Sequence, residues 1–171
     1  PSSVIPPPLD ARSLQYRLAM LYSGAGEPDV EGQPAAMAHS AAALSSLFSS
    51  LLNGKPVNLA EADEATSEII DTVAAKGLTT WLDNVRRYHE GTFQHCLLVT
   101  GVAVDFALNL GSHAADVKRL GVAATLHDIG KAAIPLEILD KPGGLSDGEM
   151  AIMQSHAKLG YDALRGIPGV S

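Results

Sequence analysis

Little in this sequence fits a secreted, membrane-spanning or nucleic-acid-binding protein. Cysteine occurs once, as Cys96, which excludes an intrachain disulfide framework and fits a reducing compartment. No apolar run reaches the roughly eighteen residues of a spanning helix, and no basic-then-apolar leader opens the chain. Lysine and arginine total 12 against 19 acidic residues, a net charge of −7. Positive charge this thin gives no basic stripe for a DNA or RNA duplex, so an anionic ligand would need a metal ion or a few local cations. Strand-like alternation of useful length is missing as well. A cytoplasmic protein or module is the expectation.

What is present is helical. Apolar residues make up 46% of the 171, enough for a sizeable core. Residues 1–9 are proline-rich and extended; Asp10 is placed to cap a helix over about 11–23, with Leu14, Leu18 and Leu21 on one stripe. A Gly- and Pro-containing loop leads to a second helix, about 36–53, with an apolar face of Leu44, Leu47, Phe48, Leu51 and Leu52, closed by Asn53-Gly54. His39 at its edge reads as an ordinary polar residue. These elements form a small N-terminal helical region, 1–57, with a regulatory role expected. Its small-residue helix is placed to pack on a partner chain, so a homodimer through the N-terminal helices is an open expectation.

The second region, 58–171, is more tightly patterned. Asn58 and Glu61 have capping-box spacing, and the helix they open is expected to stop at Gly77, with a further short helix over 78–88. A long apolar helix then runs to Gly111. On it His95, Val99, Val102 and Phe106 recur at helical spacing, which predicts a core-facing stripe that includes His95. Changes at Val99 or Phe106 should then act through stability. The next helix, about 113–130, carries His127-Asp128 near its end, and Lys131 falls four residues after His127 on the same face. A sharp turn follows at Lys141-Pro142-Gly143. Ser146 and Glu149 cap a last helix that carries His156. The fold expected is an all-α bundle.

Metal sites need histidine and carboxylate groups converging from several elements. Three successive helices each offer a candidate: His95, the His127-Asp128 pair, and His156. Each has a plain alternative. A solitary histidine on an apolar helix face is more often a hydrogen-bonded core residue, and Lys131 at a helix end is equally a capping cation. His89 and His113 lie at helix edges and read as surface residues.

The runs TFQHCLLVTGVA and LHDIGKAAIPLEILDKPGGLSDGEMAIMQSHAKLGYDAL resemble the HD-GYP family of HD-domain metal-dependent phosphohydrolases, over about residues 58–166. The combination of HDIGK, the proline after it, the KPG turn and the later H-x-x-x-G is specific where a bare His-Asp pair is not. The resemblance implies an HD-domain-like helical bundle that hydrolyses cyclic di-GMP, a cyclic dinucleotide, to pGpG or GMP, with divalent metal ions, iron or manganese foremost. It marks His95, His127, Asp128 and His156 as metal ligands, Asp128 as the bridge between two ions, and Lys131 as a cation near the scissile phosphate. It places Lys141, Pro142 and Gly143 on the substrate side. Hydroxide generated between the ions would attack phosphorus in line. Some family members hold a third ion through a glutamate four residues before the first histidine; that place is Gly91, which favours two. The family's adjacent histidine pair, Gly-Tyr-Pro loop and further aspartate are expected beyond Ser171. The alternative is an incomplete or degenerate HD domain acting as a regulatory or dimerisation module without catalysis.

Overall fold

The computed structural model describes residues 35–86 and 91–170, whose regular elements are all helices, with no strand among them. The lead-in at 1–9, the helix expected over 11–23, and His89 lie outside the described residues. Helix α1 (Ala35–Leu52) buries Leu44, Leu47 and Phe48, as its apolar spacing requires. Gly54, at φ 62°, ends it: the Gly54 and Lys55 amides reach back to the carbonyls of Leu51 and Ser50. His39 on its outer face contacts Glu68 of α2 at 2.6 Å, and that partner holds the imidazole pKa above its ordinary value.

Helix α2 (Leu59–Arg86) opens on Asn58, whose Oδ1 accepts from the Ala60 amide and whose side-chain amide donates to Glu61. The break expected at Gly77 is there as a kink, φ 79° and ψ 159°, and the helix expected beyond it continues the same element. Helix α3 (Gly91–Asn109) crosses α2 where Trp81 donates to the Leu97 carbonyl at 3.0 Å. Gly101 is required there, since a Cβ would stand 2.2 Å from the indole.

Helix α3 corrects the stripe expected from sequence. Its buried side is Phe93, Cys96, Leu97, Thr100, Val104 and Ala107, while Val102 is 48% and Phe106 60% exposed. His95 lies on that exposed side too. This helix is apolar nearly all round, so 3.6-residue spacing fits more than one stripe. Packing selects the one with Cys, Thr, Gly and Ala, because small side chains let α1, α2 and α4 approach closely.

Gly111 (φ 69°) ends that helix, and α4 (Ala114–Leu126) follows. Three buried threonines fix α2, α3 and α4 in register: Thr125 meets Thr66 at 3.0 Å and Thr100 at 3.4 Å. Each hydroxyl also bonds the carbonyl four residues back, so none is stranded. The helix expected to run to residue 130 stops at Leu126. His127 and Asp128 form a turn, and Ile129–Ala133 is a 3-10 segment. After it come α5 (Leu136–Leu139) and α6 (Asp147–Gln154), the latter opened by a complete Ser146/Glu149 capping box. The last helix expected from sequence is two, with Ser155 at the break before α7 (His156–Leu164). One apolar core, from Met37 through Trp81, Leu97 and Val117 to Ile129, joins α1 to the 3-10 turn.

Candidate metal centre

Ending α4 at Leu126 is what builds the site. A continuous helix would point His127 and Asp128 about 100° apart. Instead Asp128 adopts φ −106°, ψ 10°, and its side chain turns inward until only 5% is exposed. Three histidines from three elements meet it. His95 Nε2 (α3) and His127 Nε2 (the α4 end) lie 3.5 and 3.2 Å from Oδ2, and His156 Nε2 (α7) lies 3.3 Å from Oδ1. Ligand atoms of His95, His127 and Asp128 all fall within 4.8 Å of one another. His156 faces the other carboxylate oxygen.

Two ring orientations are fixed by local backbone. His127 Nδ1 is 2.7 Å from the Ala124 carbonyl, and His156 Nδ1 is 2.7 Å from the Met153 carbonyl. A carbonyl only accepts, so Nδ1 carries the proton in each, and in the neutral ring Nε2 turns a lone pair on Asp128. Lone pairs aimed at a carboxylate repel it unless a cation lies between them. Asp128 Oδ2 is also buried without a hydrogen-bond partner. Lys131 Nζ is 2.7 Å from it as an ion pair, but without a hydrogen bond's alignment. Burial pushes the Asp128 carboxyl up; Lys131, His127 and His156 outweigh that and hold it below the ordinary carboxylate range. This donor set fits a divalent cation: imidazoles that turn Nε2 toward the carboxylate, two of them oriented by carbonyls, and an ionised, under-bonded carboxylate.

The other residues marked from sequence are placed as follows. Lys131 reaches Asp128 across three residues from the 3-10 turn rather than by sharing a helix face with His127. Lys141 is held by Glu149 at 2.6 Å, and the exposed Pro142 and Gly143 (φ 102°) form the turn beside it. None of these three contacts Asp128 directly. His113 is exposed just before α4 and makes no side-chain cap. Beside the centre, a groove of about 660 Å³ between the start of α2, α4 and α7 touches His127 but not His95, Asp128 or His156. Sequence reasoning does not single out Gly130, which is buried against the backbone of α7. The signal for it is a glycine between the His-Asp pair and Lys131, a residue type that permits close backbone approach.

The site falls inside the stretch that matches the HD domain family model, residues 92–171. A cyclic di-GMP phosphodiesterase of Pseudomonas aeruginosa is 32% identical over 120 residues, which is 70% of this chain and 29% of that protein. A cyclic di-GMP phosphodiesterase response regulator of Xanthomonas campestris pv. campestris is 41% identical over 76 residues, 44% of this chain and 20% of that protein. A 3'3'-cGAMP-specific phosphodiesterase of Vibrio cholerae is 55% identical over 42 residues, 25% of this chain and 8% of that protein. The chain spans less than a third of the length of each of these relatives. No solved structure matches it. The stretch that holds the His-Asp centre thus matches the HD domain family, and the chain is similar over part of its length to cyclic di-GMP phosphodiesterases.

Proposed function

We propose that this chain carries the metal centre of a phosphodiesterase that hydrolyses a cyclic dinucleotide, with cyclic di-GMP as the expected substrate. The observation that carries the reading is the division of the Asp128 carboxylate. Oδ2 faces the histidines of α3 and α4, and Oδ1 faces that of α7. That is a donor set for two divalent ions sharing one carboxylate, and imidazole with carboxylate suits iron or manganese. Divalent ions held there acidify water and offset the charge of a phosphodiester. The chain's own groups do the rest. Ala124 and Met153 carbonyls keep His127 and His156 in the ligating tautomer, and burial keeps bulk water off Asp128. Lys131, partly exposed beside the carboxylate, is placed to hold a phosphoryl oxygen as charge develops on it. The Lys141-Pro142-Gly143 turn is assigned to the substrate side. The substrate class rests on the relatives, among which both cyclic di-GMP and 3'3'-cGAMP enzymes occur.

The test uses the full-length protein, loaded with manganese or with iron under reducing conditions and assayed against both dinucleotides. Metal bound at about two ions per chain, with release of a linear dinucleotide or mononucleotides, is the expected result. Asp128→Asn keeps the side chain's shape and removes its charge, so it should lose most activity and metal while melting as a folded protein. Full turnover in that variant would remove Asp128 from its role. Absence of both metal and hydrolysis in the wild type would sink the enzyme reading in favour of a non-catalytic regulatory HD domain.

A further inference from the structure

We propose that Gly130 is a positioning residue: its bare Cα lets α7 close on the turn after Asp128, and that closure brings His156 to Asp128 Oδ1. The inference rests on the two-ion reading above and adds what controls the second ion. A Cβ on Gly130 would stand 2.0 Å from the His156 carbonyl oxygen, 2.5 Å from the Gly160 amide nitrogen and 2.9 Å from the His156 carbonyl carbon. All three are backbone atoms, so no side chain can swing aside to make room. Gly130 is not among the positive-φ glycines, so alanine is conformationally acceptable there and space alone forbids it. From the other side Gly160, one helical turn after His156, is buried, and its own Cβ would lie 3.3 Å from the Gly130 nitrogen. Two glycines thus form a backbone-on-backbone crossing at the level of His156.

The consequence for the centre follows from tolerances. Ordinary contact to a Cβ is 3.4–4 Å against the 2.0 Å to the His156 oxygen, so a methyl at Gly130 requires α7 to retreat by about 1.4 Å or more. Metal–ligand distances tolerate about 0.2 Å. His156 cannot swing to compensate without giving up its Nδ1 bond to the Met153 carbonyl, so the retreat carries Nε2 away from Oδ1. His95 stands on α3 and His127 caps the end of α4, and these two helices pack on each other. The methyl therefore separates one half of the centre from the other: an ion held by His156 and Oδ1 would be lost, and one held by His95, His127 and Oδ2 would stay.

Titration of the metal-free full-length protein with manganese alone tests this, with stoichiometry from calorimetry and elemental analysis and spin coupling between paired ions from electron paramagnetic resonance. Wild type should bind two coupled ions. Gly130→Ala should bind one uncoupled ion, the dissociation constant of the other rising by about 10–100-fold or more, and His156→Ala should give the same pattern. A role confined to stability would lower the melting temperature of the metal-free protein without this selective loss. A folded Gly130→Ala that binds both ions as wild type does, or weakens both equally, overturns the proposal. Should that variant fail to fold, Gly160→Ala, with its milder contact, decides: selective weakening of one ion supports the proposal, and unchanged or unselective binding overturns it. A wild type that binds a single ion overturns the inference but leaves the hydrolase reading standing; one that binds none removes both.

Discussion

At the scale of single residues, the chemistry concentrates on one carboxylate. Asp128 is buried among three imidazoles and one ammonium in a chain whose net charge is −7. On the proposed reading, this local surplus of cationic and ligating groups is what would let an acidic protein take an anionic substrate. Lys131 has two roles open to it, neutralising Asp128 and stabilising the phosphoryl group, and substitution tells them apart. Lys131→Met keeps the length of the stem and removes the charge. If the ammonium acts on the phosphoryl group, turnover falls by roughly 10²–10³ while metal content holds at the wild-type level. Loss of metal in parallel with turnover would assign Lys131 to holding Asp128 instead. Cys96, completely buried on α3, has its thiol pushed up to about 12 by desolvation, with the Asp128 charge adding to it. It is packing material and not a nucleophile.

At the scale of elements, what was legible in the sequence divides by mechanism. Caps and stops are local chemistry, and the Asn53-Gly54 stop, the Gly111 stop and the Ser146/Glu149 box all appear as their residues require. The breaks that make the centre were not legible. Nothing in LHDIGK forbids the helix from continuing past Leu126; beyond it Ile129 is buried in the core and α7 packs closely on Gly130. Likewise Ser155, an ordinary helix residue, divides the last helix in two. Glu149 offers a test at this scale. Lys141, then the Ser146 backbone and hydroxyl, hold its carboxyl at about 2, well below the ordinary 4.5. A folded-state pKa below the unfolded one means the stabilisation is complete above pH 4.5 and drains away as pH falls towards 2. Glu149→Gln should therefore melt with a flatter dependence on pH across that window, measured as melting temperature against pH at low salt, and high salt should shrink the difference. Coincident curves for variant and wild type would show that the box contributes nothing through its charge.

At the scale of the molecule, the all-α class and the convergence of His95, His127, Asp128 and His156 were readable, because they need only periodicity and separation by whole helices. Which side of α3 faces inward was not, because that depends on how closely three neighbours approach it. Closeness favours the side lined with small residues and leaves large apolar ones outside. A pair of truncations separates the two accounts. Were the stripe of Val102 and Phe106 the core, Phe106→Ala would cost about 3–5 kcal/mol, as for a buried aromatic. With Phe106 60% exposed and Val104 fully buried, the order reverses. Phe106→Ala should shift stability by about 0.5 kcal/mol or less. Val104→Ala, which leaves a cavity in the core beside α2 and α4, should cost about 1–3 kcal/mol. Urea denaturation of both variants in the metal-free state reads the difference directly, since unchanged m-values would assign the shifts to packing rather than to the unfolded chain. Because α3 also carries His95, on the same exposed side as Phe106, the Phe106 variant should keep its metal. The Val104 variant, loosening the helix from beneath, should lose metal only as far as it loses fold.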